Sequence, residues 1–192
     1  IDKDVKGVLQ IGFTALDKQN RMLEAIGVLG EKYSYEMMPV GRAELKNLKV
    51  IGITGSYGKT TTKELISHLL LSKYQVLKTP NHVNSEIGVA QTILRDLTSE
   101  HEVFVCEMGA YTRGGVALLA GIAKPDIGVV TGVSEQHVAL FKDMESVMSG
   151  EGGGELLKLL PAQGRVVISG DTRYRSEQEE MVRRIKNPKE VI

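Results

Sequence analysis

From about Lys49 onward, short Val- and Ile-rich runs alternate with longer segments in which apolar residues recur every three or four positions. Continuous apolar runs are typical of strands buried on both faces, and the wider spacing is typical of amphipathic helices. The predicted strands are Val50–Thr54, Gln75–Lys78, Val103–Glu107, Ile127–Thr131 and Arg165–Ser169. The predicted helices are Thr61–Leu71, Glu86–Leu97, Gly115–Ala123, Glu145–Leu160 and Ser176–Lys186. This alternation predicts an α/β fold, with a mainly parallel sheet flanked by helices on both faces.

Residues 1–48 do not follow this alternation. A helix-like segment spans Lys18–Lys32, and Pro39 and Gly41 interrupt the chain after it. That region carries no phosphate- or metal-binding pattern. We therefore predict a helical segment over residues 1–48, either packed on the sheet domain or left from a neighbouring domain. The α/β domain is predicted over residues 49–192.

The composition is that of a soluble globular protein: 42% of the 192 residues are hydrophobic and 25% are charged. Because 24 basic residues balance 24 acidic ones, the net charge gives no electrostatic case for nucleic acid binding. A single cysteine, Cys106, lies within an apolar run, so we expect a packing role for it. No apolar run approaches a membrane span and no signal-peptide pattern opens the chain, so the sequence predicts a cytoplasmic protein without membrane insertion. The oligomeric state is not readable from these residues.

The first predicted strand runs directly into Gly55-Ser56-Tyr57-Gly58-Lys59-Thr60. Glycines let a backbone turn tightly and direct successive N–H groups at an anion. Lys59 can place a positive charge on the β- and γ-phosphates of a nucleotide, and the Thr60 hydroxyl can bind Mg²⁺. The helix that follows adds the positive end of its dipole. The segment is therefore predicted to bind a nucleoside triphosphate.

This loop differs from the generic phosphate-binding pattern, which has a glycine five residues before Gly58. Ile53 occupies that position, so the loop is the shorter Gly-x-x-Gly-Lys-Thr. The alternative is a Gly-Lys-Thr sequence that occurs by chance in a surface turn. The strand before the loop and the helix-like stretch after it favour the phosphate-binding interpretation.

Ligands of parallel sheets bind beyond the carboxyl ends of the strands, so the residues that follow the other strands are candidates too. The second strand leads into the polar turn Thr79–Gly88, for which the alternative is a plain turn with Ser85 capping a helix. Glu107 ends the third strand and can hold Mg²⁺, although a strand-end glutamate can also simply reach solvent. His137 follows the fourth strand and could bind a second metal or contact a phosphate, but a lone histidine is more often a satisfied polar residue.

Five motifs occur in a fixed order along the chain. They are Ile53–Glu64, then Thr79-Pro80 with Asn84 and Glu86–Gly88, then Glu107–Ala110, Lys124–Gly128 and Thr131–His137. Together they resemble the central, P-loop NTPase-like ATP-binding domain of the Mur ligases, and most of all the D-alanyl-D-alanine-adding type. The resemblance covers roughly residues 49–175. The short Gly-x-x-Gly-Lys-Thr loop, unusual for phosphate loops in general, is the form that this family uses.

The resemblance implies an ATP-dependent carbon–nitrogen ligase of peptidoglycan precursor synthesis. ATP phosphorylates the terminal carboxylate of a UDP-MurNAc-peptide, and the amine of D-Ala-D-Ala attacks the acyl phosphate. The implied cofactors are ATP and Mg²⁺. Two alternatives remain: another Mur or folylpolyglutamate-type ligase, and a nucleotide-binding module that does not catalyse.

Mapped by motif, the resemblance implies a role for each matching residue. The implied catalytic residues are Lys59, Glu107 and His137. The implied metal ligands are Thr60, Glu107 and His137. The implied nucleotide-binding residues are Gly55, Ser56, Tyr57, Gly58, Lys59, Thr60, Thr61 and Asn84.

Three features depart from the family. His82 and Ser85 stand where the family usually has further asparagines. The family's carbamylated lysine has no counterpart in Ser149–Glu155, and our hypothesis is that Glu151 or Glu155 supplies the missing carboxylate. The alternative is a flexible glycine-rich turn without a catalytic part. The family's flanking domains also do not fit within 192 residues, so we expect a fragment that binds nucleotide weakly and turns over little.

Overall fold

The computed structural model describes residues 48–185, so all but the last residue of the predicted N-terminal helical segment lies outside the described residues. The described part forms one sheet of five parallel strands in the order β2-β3-β1-β4-β5. The strands are β1 Lys49–Thr54, β2 Val76–Lys78, β3 Val103–Glu107, β4 Ile127–Val130 and β5 Arg165–Ile168. The predicted α/β class and parallel sheet are confirmed, and the division near residue 48 stays a prediction.

Seven α-helices connect and cover these strands in the described residues. They are α1 Lys59–Leu70, α2 Glu86–Asp96, α3 Gly115–Ala123, α4 Val138–Phe141, α5 Met144–Ser149, α6 Gly154–Leu159 and α7 Arg175–Ile185. A short 3-10 turn, Glu135–His137, precedes α4. The sequence pattern did not predict this turn or α4, because elements of three and four residues are too short to show a periodicity.

The predicted helix Glu145–Leu160 is wrong as a single element, since it is divided into α5 and α6. The break falls in the glycine-rich turn 150–153. Gly153 has a left-handed φ of 96°, and a Cβ atom at this position would lie 2.5 Å from Cγ2 of Val130. Only glycine fits both the conformation and the space. As a result, Glu151 lies in a tight turn and not on a helix face.

Helices pack on both faces of the sheet. Val50, Phe104 and Cys106 contribute to the larger core, which the helices after β2, β3 and β4 cover. On the opposite face, Ile51 and Ile53 belong to a core that includes Ile66 and Leu70 of α1. Successive side chains of β1 and β3 therefore point into opposite cores. The parallel pairing of β1 with β3 and with β4 places the carboxyl ends of these three strands side by side.

The buried Cys106 is fully inside the larger core. Burial raises the pKa of its thiol far above the usual value. The expected packing role is therefore confirmed. Among the described residues, no helix combines the length and apolar character needed to cross a membrane.

Candidate functional site

The loop between β1 and α1 is fastened to the end of β4. The amide of Ser56 donates to the carbonyl of Gly132 at 2.7 Å, and the Thr131 hydroxyl donates to the carbonyl of Tyr57 at 2.6 Å. Gly55 has a φ of 145°, and a Cβ atom there would lie only 1.9 Å from Oγ1 of Thr131. The central strand and its neighbour therefore hold the loop in a single shape that requires glycine at position 55.

The loop ends at the N-terminus of α1. Gly58 adopts a left-handed φ of 78°, and the first helical hydrogen bond runs from the Thr62 amide to the Gly58 carbonyl at 2.9 Å. The amides of Lys59–Thr61 precede that bond, as in helix N-termini that bind anions. Nζ of Lys59 donates to the Gly55 carbonyl at 2.6 Å, so its ammonium group lies over the loop. A loop of amides, a helix dipole and a lysine are thereby brought together.

Four side chains meet at the carboxyl end of β3, and we call them the Glu107 cluster: Thr60, Lys63, Asn84 and Glu107. Oε2 of Glu107 accepts a hydrogen bond from the Thr60 hydroxyl at 2.9 Å and lies 3.3 Å from Nζ of Lys63. Its Oε1 accepts from Nδ2 of Asn84 at 3.1 Å. Glu107 is only 1% exposed. The alternative that Glu107 simply reaches solvent is therefore wrong.

The turn after β2 forms one edge of this cluster. Nδ1 of His82 lies 3.2 Å from the Thr60 hydroxyl, which places the histidine beside the phosphate loop. The Ser85 hydroxyl accepts from the Gly88 amide at 3.4 Å and caps α2, so the Ser85 cap is confirmed, although the turn is more than a plain turn. The turn thus contributes His82 and Asn84 to the site, whereas Ser85 serves the helix.

A second group, the Glu151 cluster, consists of Ser56, Ser134, His137 and Glu151. The Ser56 hydroxyl donates to Oε2 of Glu151 at 2.6 Å and accepts from the Ser134 amide at 3.0 Å. Nδ1 of His137 lies 2.8 Å from Oε1 of Glu151. The Glu151 side chain is 3% exposed, compared with 27% for His137. A carboxylate from the lysine-free segment therefore reaches both the phosphate loop and the predicted metal-binding histidine.

Glu155, the other candidate for that carboxylate, lies elsewhere. Its two oxygens accept hydrogen bonds from the Gly114 amide at 2.7 Å and the Ala117 amide at 2.9 Å. These are N–H groups at the start of α3, which have no partner within the helix. Glu155 is thus occupied as a buried cap of α3, and the structure brings only Glu151 to His137.

The donor set at β3 suits Mg²⁺. Among residues 48–185, no three His, Cys, Asp or Glu side chains converge on a possible metal position. Mg²⁺, however, is usually held by one or two protein oxygens together with phosphate oxygens and water. The Thr60 hydroxyl and the Glu107 carboxylate provide such oxygens beside the phosphate loop. The group present therefore fits a metal that arrives with a nucleotide.

Sequence reasoning assigned no role to Lys63, although its side chain is completely buried in the Glu107 cluster. Its position three residues after Thr60 could have indicated a place in the site, because residues three apart in a helix lie on the same face.

A parallel α/β sheet whose central strand ends in a phosphate-binding loop and a helix N-terminus defines the P-loop class of nucleotide-binding domains. Within this class, the family model described as the Mur ligase middle domain matches residues 53–191, and the chain belongs to that family.

Individual relatives agree with the family assignment. The chain is 38% identical over 138 residues to a UDP-N-acetylmuramoyl-tripeptide--D-alanyl-D-alanine ligase of Synechocystis, covering 72% of this chain and 30% of the relative. It is 35% identical over 137 residues to the ligase of that name from Bacillus subtilis, covering 70% and 29%. The solved MurF ligase of Thermotoga maritima, in complex with ADP, aligns with a TM-score of 0.67 and 30% identity, covering 92% of this chain and 37% of that one. The chain therefore spans less than a third of the length of the two curated relatives.

Proposed function

We propose that this chain forms the ATP-binding centre of a cytoplasmic ligase that joins D-Ala-D-Ala to a UDP-MurNAc-peptide through an acyl phosphate. The observation that carries the proposal is a phosphate loop that holds the Lys59 ammonium group next to a hydrogen-bonded pair of Thr60 and Glu107, in a chain of the Mur ligase family. Relatives that carry this ligase name match most of the chain, which supports the choice of reaction. The ADP complex of the Thermotoga relative supports a nucleotide at this loop.

In this proposal, the residues of the chain act by binding and orienting charge. The amides of Gly55–Thr61 and the Lys59 ammonium hold the phosphates, and Thr60 and Glu107 hold Mg²⁺, which would neutralise charge on the transferred group. The γ-phosphoryl group passes to the peptide carboxylate and ADP is released. The dipeptide amine then forms the amide bond as phosphate leaves. Asn84 keeps the Glu107 carboxylate in place through its hydrogen bond.

The first test is nucleotide binding by the Lys59→Ala variant. We expect the full chain to bind ATP in the presence of Mg²⁺ and Lys59→Ala to bind about 10- to 100-fold more weakly, because a hydrogen bond to a charged group contributes about 1.5–3 kcal/mol. Isothermal titration measures both affinities. Lys73→Ala, which removes an exposed lysine beyond the other end of α1, is the matched control and should bind as the unsubstituted chain does. Equal affinities for all three proteins would contradict the assigned role of the loop.

Two further outcomes separate the proposal from its alternatives. Phosphate release that requires both a peptide carboxylate and D-Ala-D-Ala favours the proposed ligase. Release with a different amine favours another ligase of the family. ATP binding without any amine-dependent phosphate release favours a nucleotide-binding module. Because the chain covers less than a third of its curated relatives, a turnover test should compare it alone with a longer chain that includes the flanking domains.

We also propose that Glu151 supplies the carboxylate that the family's modified lysine provides elsewhere, with His137 as its partner toward a second Mg²⁺. The support is the 2.8 Å approach between the two side chains and the hydrogen bond from Ser56 to the same carboxylate. Glu151→Gln keeps the shape of the side chain and removes its charge. In ATP-bound protein, we expect it to weaken the binding of the second Mn²⁺, a spectroscopic substitute for Mg²⁺, by about tenfold.

Electron paramagnetic resonance titration of free Mn²⁺ measures this change in the second binding step. Glu145→Gln, at an exposed position on α5, serves as the matched control. An unchanged second step in Glu151→Gln would remove Glu151 from the metal site and favour the plain glycine-rich turn.

A further inference from the structure

Lys63 is a fully buried cation within the candidate site. It lies one turn after Thr60 on α1, and its side chain is 0% exposed. Removing an ammonium group from water is costly unless close acceptors replace the water. A buried lysine beside a phosphate loop therefore has to be explained by the groups that surround it.

Three acceptors surround the ammonium group, which has three N–H bonds to donate. They are the Asn81 carbonyl, Oε2 of Glu107 at 3.3 Å and Oε1 of Glu64 at 3.6 Å. Asn81 has a left-handed φ of 45°, a conformation that asparagine tolerates. Glu64 is partly exposed and already paired with Lys78. Glu107 is thus the buried negative charge that Lys63 faces.

Lys63 also connects three separate parts of the site. It belongs to α1, its carbonyl partner belongs to the turn after β2, and its carboxylate partner ends β3. Thr60 and Lys63 both lie within hydrogen-bonding or ion-pairing distance of the same oxygen, Oε2 of Glu107. The carboxylate is therefore held before any metal binds, and it is held by a positive charge.

We infer that Lys63 is a positioning residue whose ammonium group holds the Glu107 carboxylate in place in the metal-free protein. The same positive charge lowers the affinity of Glu107 for a divalent cation. The inference rests on the proposed function, because it takes Glu107 as a metal ligand. A cation within about 4–6 Å of a carboxylate lowers its affinity for a proton by about tenfold or more. We expect the Lys63 ammonium to lower the affinity of Glu107 for a divalent cation in the same direction. Such a restraint would let the metal arrive and leave with the nucleotide instead of remaining bound at Glu107.

The test compares Mn²⁺ binding and thermal stability in the full chain without nucleotide. Lys63→Gln removes the charge but keeps a hydrogen-bond donor, and Lys63→Arg keeps the charge. We expect Lys63→Gln to bind Mn²⁺ about tenfold more tightly while its metal-free melting temperature falls by about 5–10 °C. Lys63→Arg should retain the affinity of the unsubstituted chain. A purely structural role predicts lower stability with unchanged or weaker metal binding, so the two readouts separate the roles.

The Mn²⁺ affinities of the unsubstituted chain and of Lys63→Gln distinguish failure of the inference from failure of the proposed function. If the unsubstituted chain binds Mn²⁺ and Lys63→Gln binds it no more tightly, the inference is overturned and the proposed function stands. If neither protein binds Mn²⁺ without nucleotide, the inference is overturned. The proposed function fails as well only if Glu107→Gln leaves the ATP-dependent binding of Mn²⁺ unchanged. Should Lys63→Gln not fold, the double variant Lys63→Gln/Glu107→Gln provides the second measurement. If the double variant folds, the pairing of Lys63 with Glu107 is supported. If it does not fold either, the inference is overturned.

Discussion

Replacing Gly55 with alanine should abolish nucleotide binding, with at least a 100-fold loss of ATP affinity in isothermal titration. The added Cβ would lie 1.9 Å from Oγ1 of Thr131 and 3.1 Å from the Gly132 carbonyl oxygen. The φ of 145° at this position is also unfavourable for alanine. The Thr131 hydroxyl cannot move away without losing its hydrogen bonds to the carbonyls of Thr54 and Tyr57. A displacement of about 1 Å in such a site can cost about 100-fold.

The same substitution should lower the free energy of unfolding by about 3 kcal/mol, the range expected for overpacking combined with backbone strain. Gly121→Ala is the matched control, because no atom lies within 4 Å of the Cβ it would add inside α3. It should leave ATP binding unchanged and stabilise the protein by up to about 1 kcal/mol. ATP affinity in Gly55→Ala within threefold of the unsubstituted value would show that the loop adapts, contrary to the structure.

The phosphate loop and the strands were predictable because their determinants are local. An apolar run followed by Gly-x-x-Gly-Lys-Thr specifies a strand, a turn and a helix start within a dozen residues, and the structure places α1 directly after that loop. The sheet itself follows from the alternation of strands and helices, since parallel neighbours need crossover helices. Glu107 was a candidate because ligands bind beyond the carboxyl ends of parallel strands, and the structure brings its carboxylate within 2.9 Å of the Thr60 hydroxyl.

The roles of Glu151, Glu155 and Lys63 were not predictable, because they depend on contacts between residues far apart in the sequence. Glu151 and Glu155 lie four residues apart on either side of three glycines, and no local pattern distinguishes them. The helix break at Gly153 separates them: Glu151 lies against His137, whereas Glu155 lies against the start of α3. Lys63 was missed for a similar reason, because a lysine on an amphipathic helix normally faces solvent. In the structure, the turn after β2 and the end of β3 both meet its ammonium group, and the side chain is fully buried.

Replacing Glu155 with alanine should lower the free energy of unfolding by about 2–3 kcal/mol, because a hydrogen bond to a charged group contributes about 1.5–3 kcal/mol and one of its two amide partners can turn to water. The variant removes the buried carboxylate that accepts from the amides of the exposed Gly114 and the half-buried Ala117, and an unsatisfied donor costs up to about 1–3 kcal/mol. It also removes a negative charge from the N-terminus of α3. Urea denaturation followed by circular dichroism measures the change.

The matched control is Glu145→Ala, which removes an exposed glutamate from the first turn of α5 and should cost less than about 1 kcal/mol. A loss below 1 kcal/mol for Glu155→Ala would mean that water reaches the start of α3 and that the carboxylate is dispensable. At a temperature where Glu155→Ala remains folded, its ATP-dependent Mn²⁺ binding should match that of the unsubstituted chain. A weakened second binding step in this variant would instead return Glu155 to the metal site, because a residue that only caps α3 cannot change metal affinity in the folded protein.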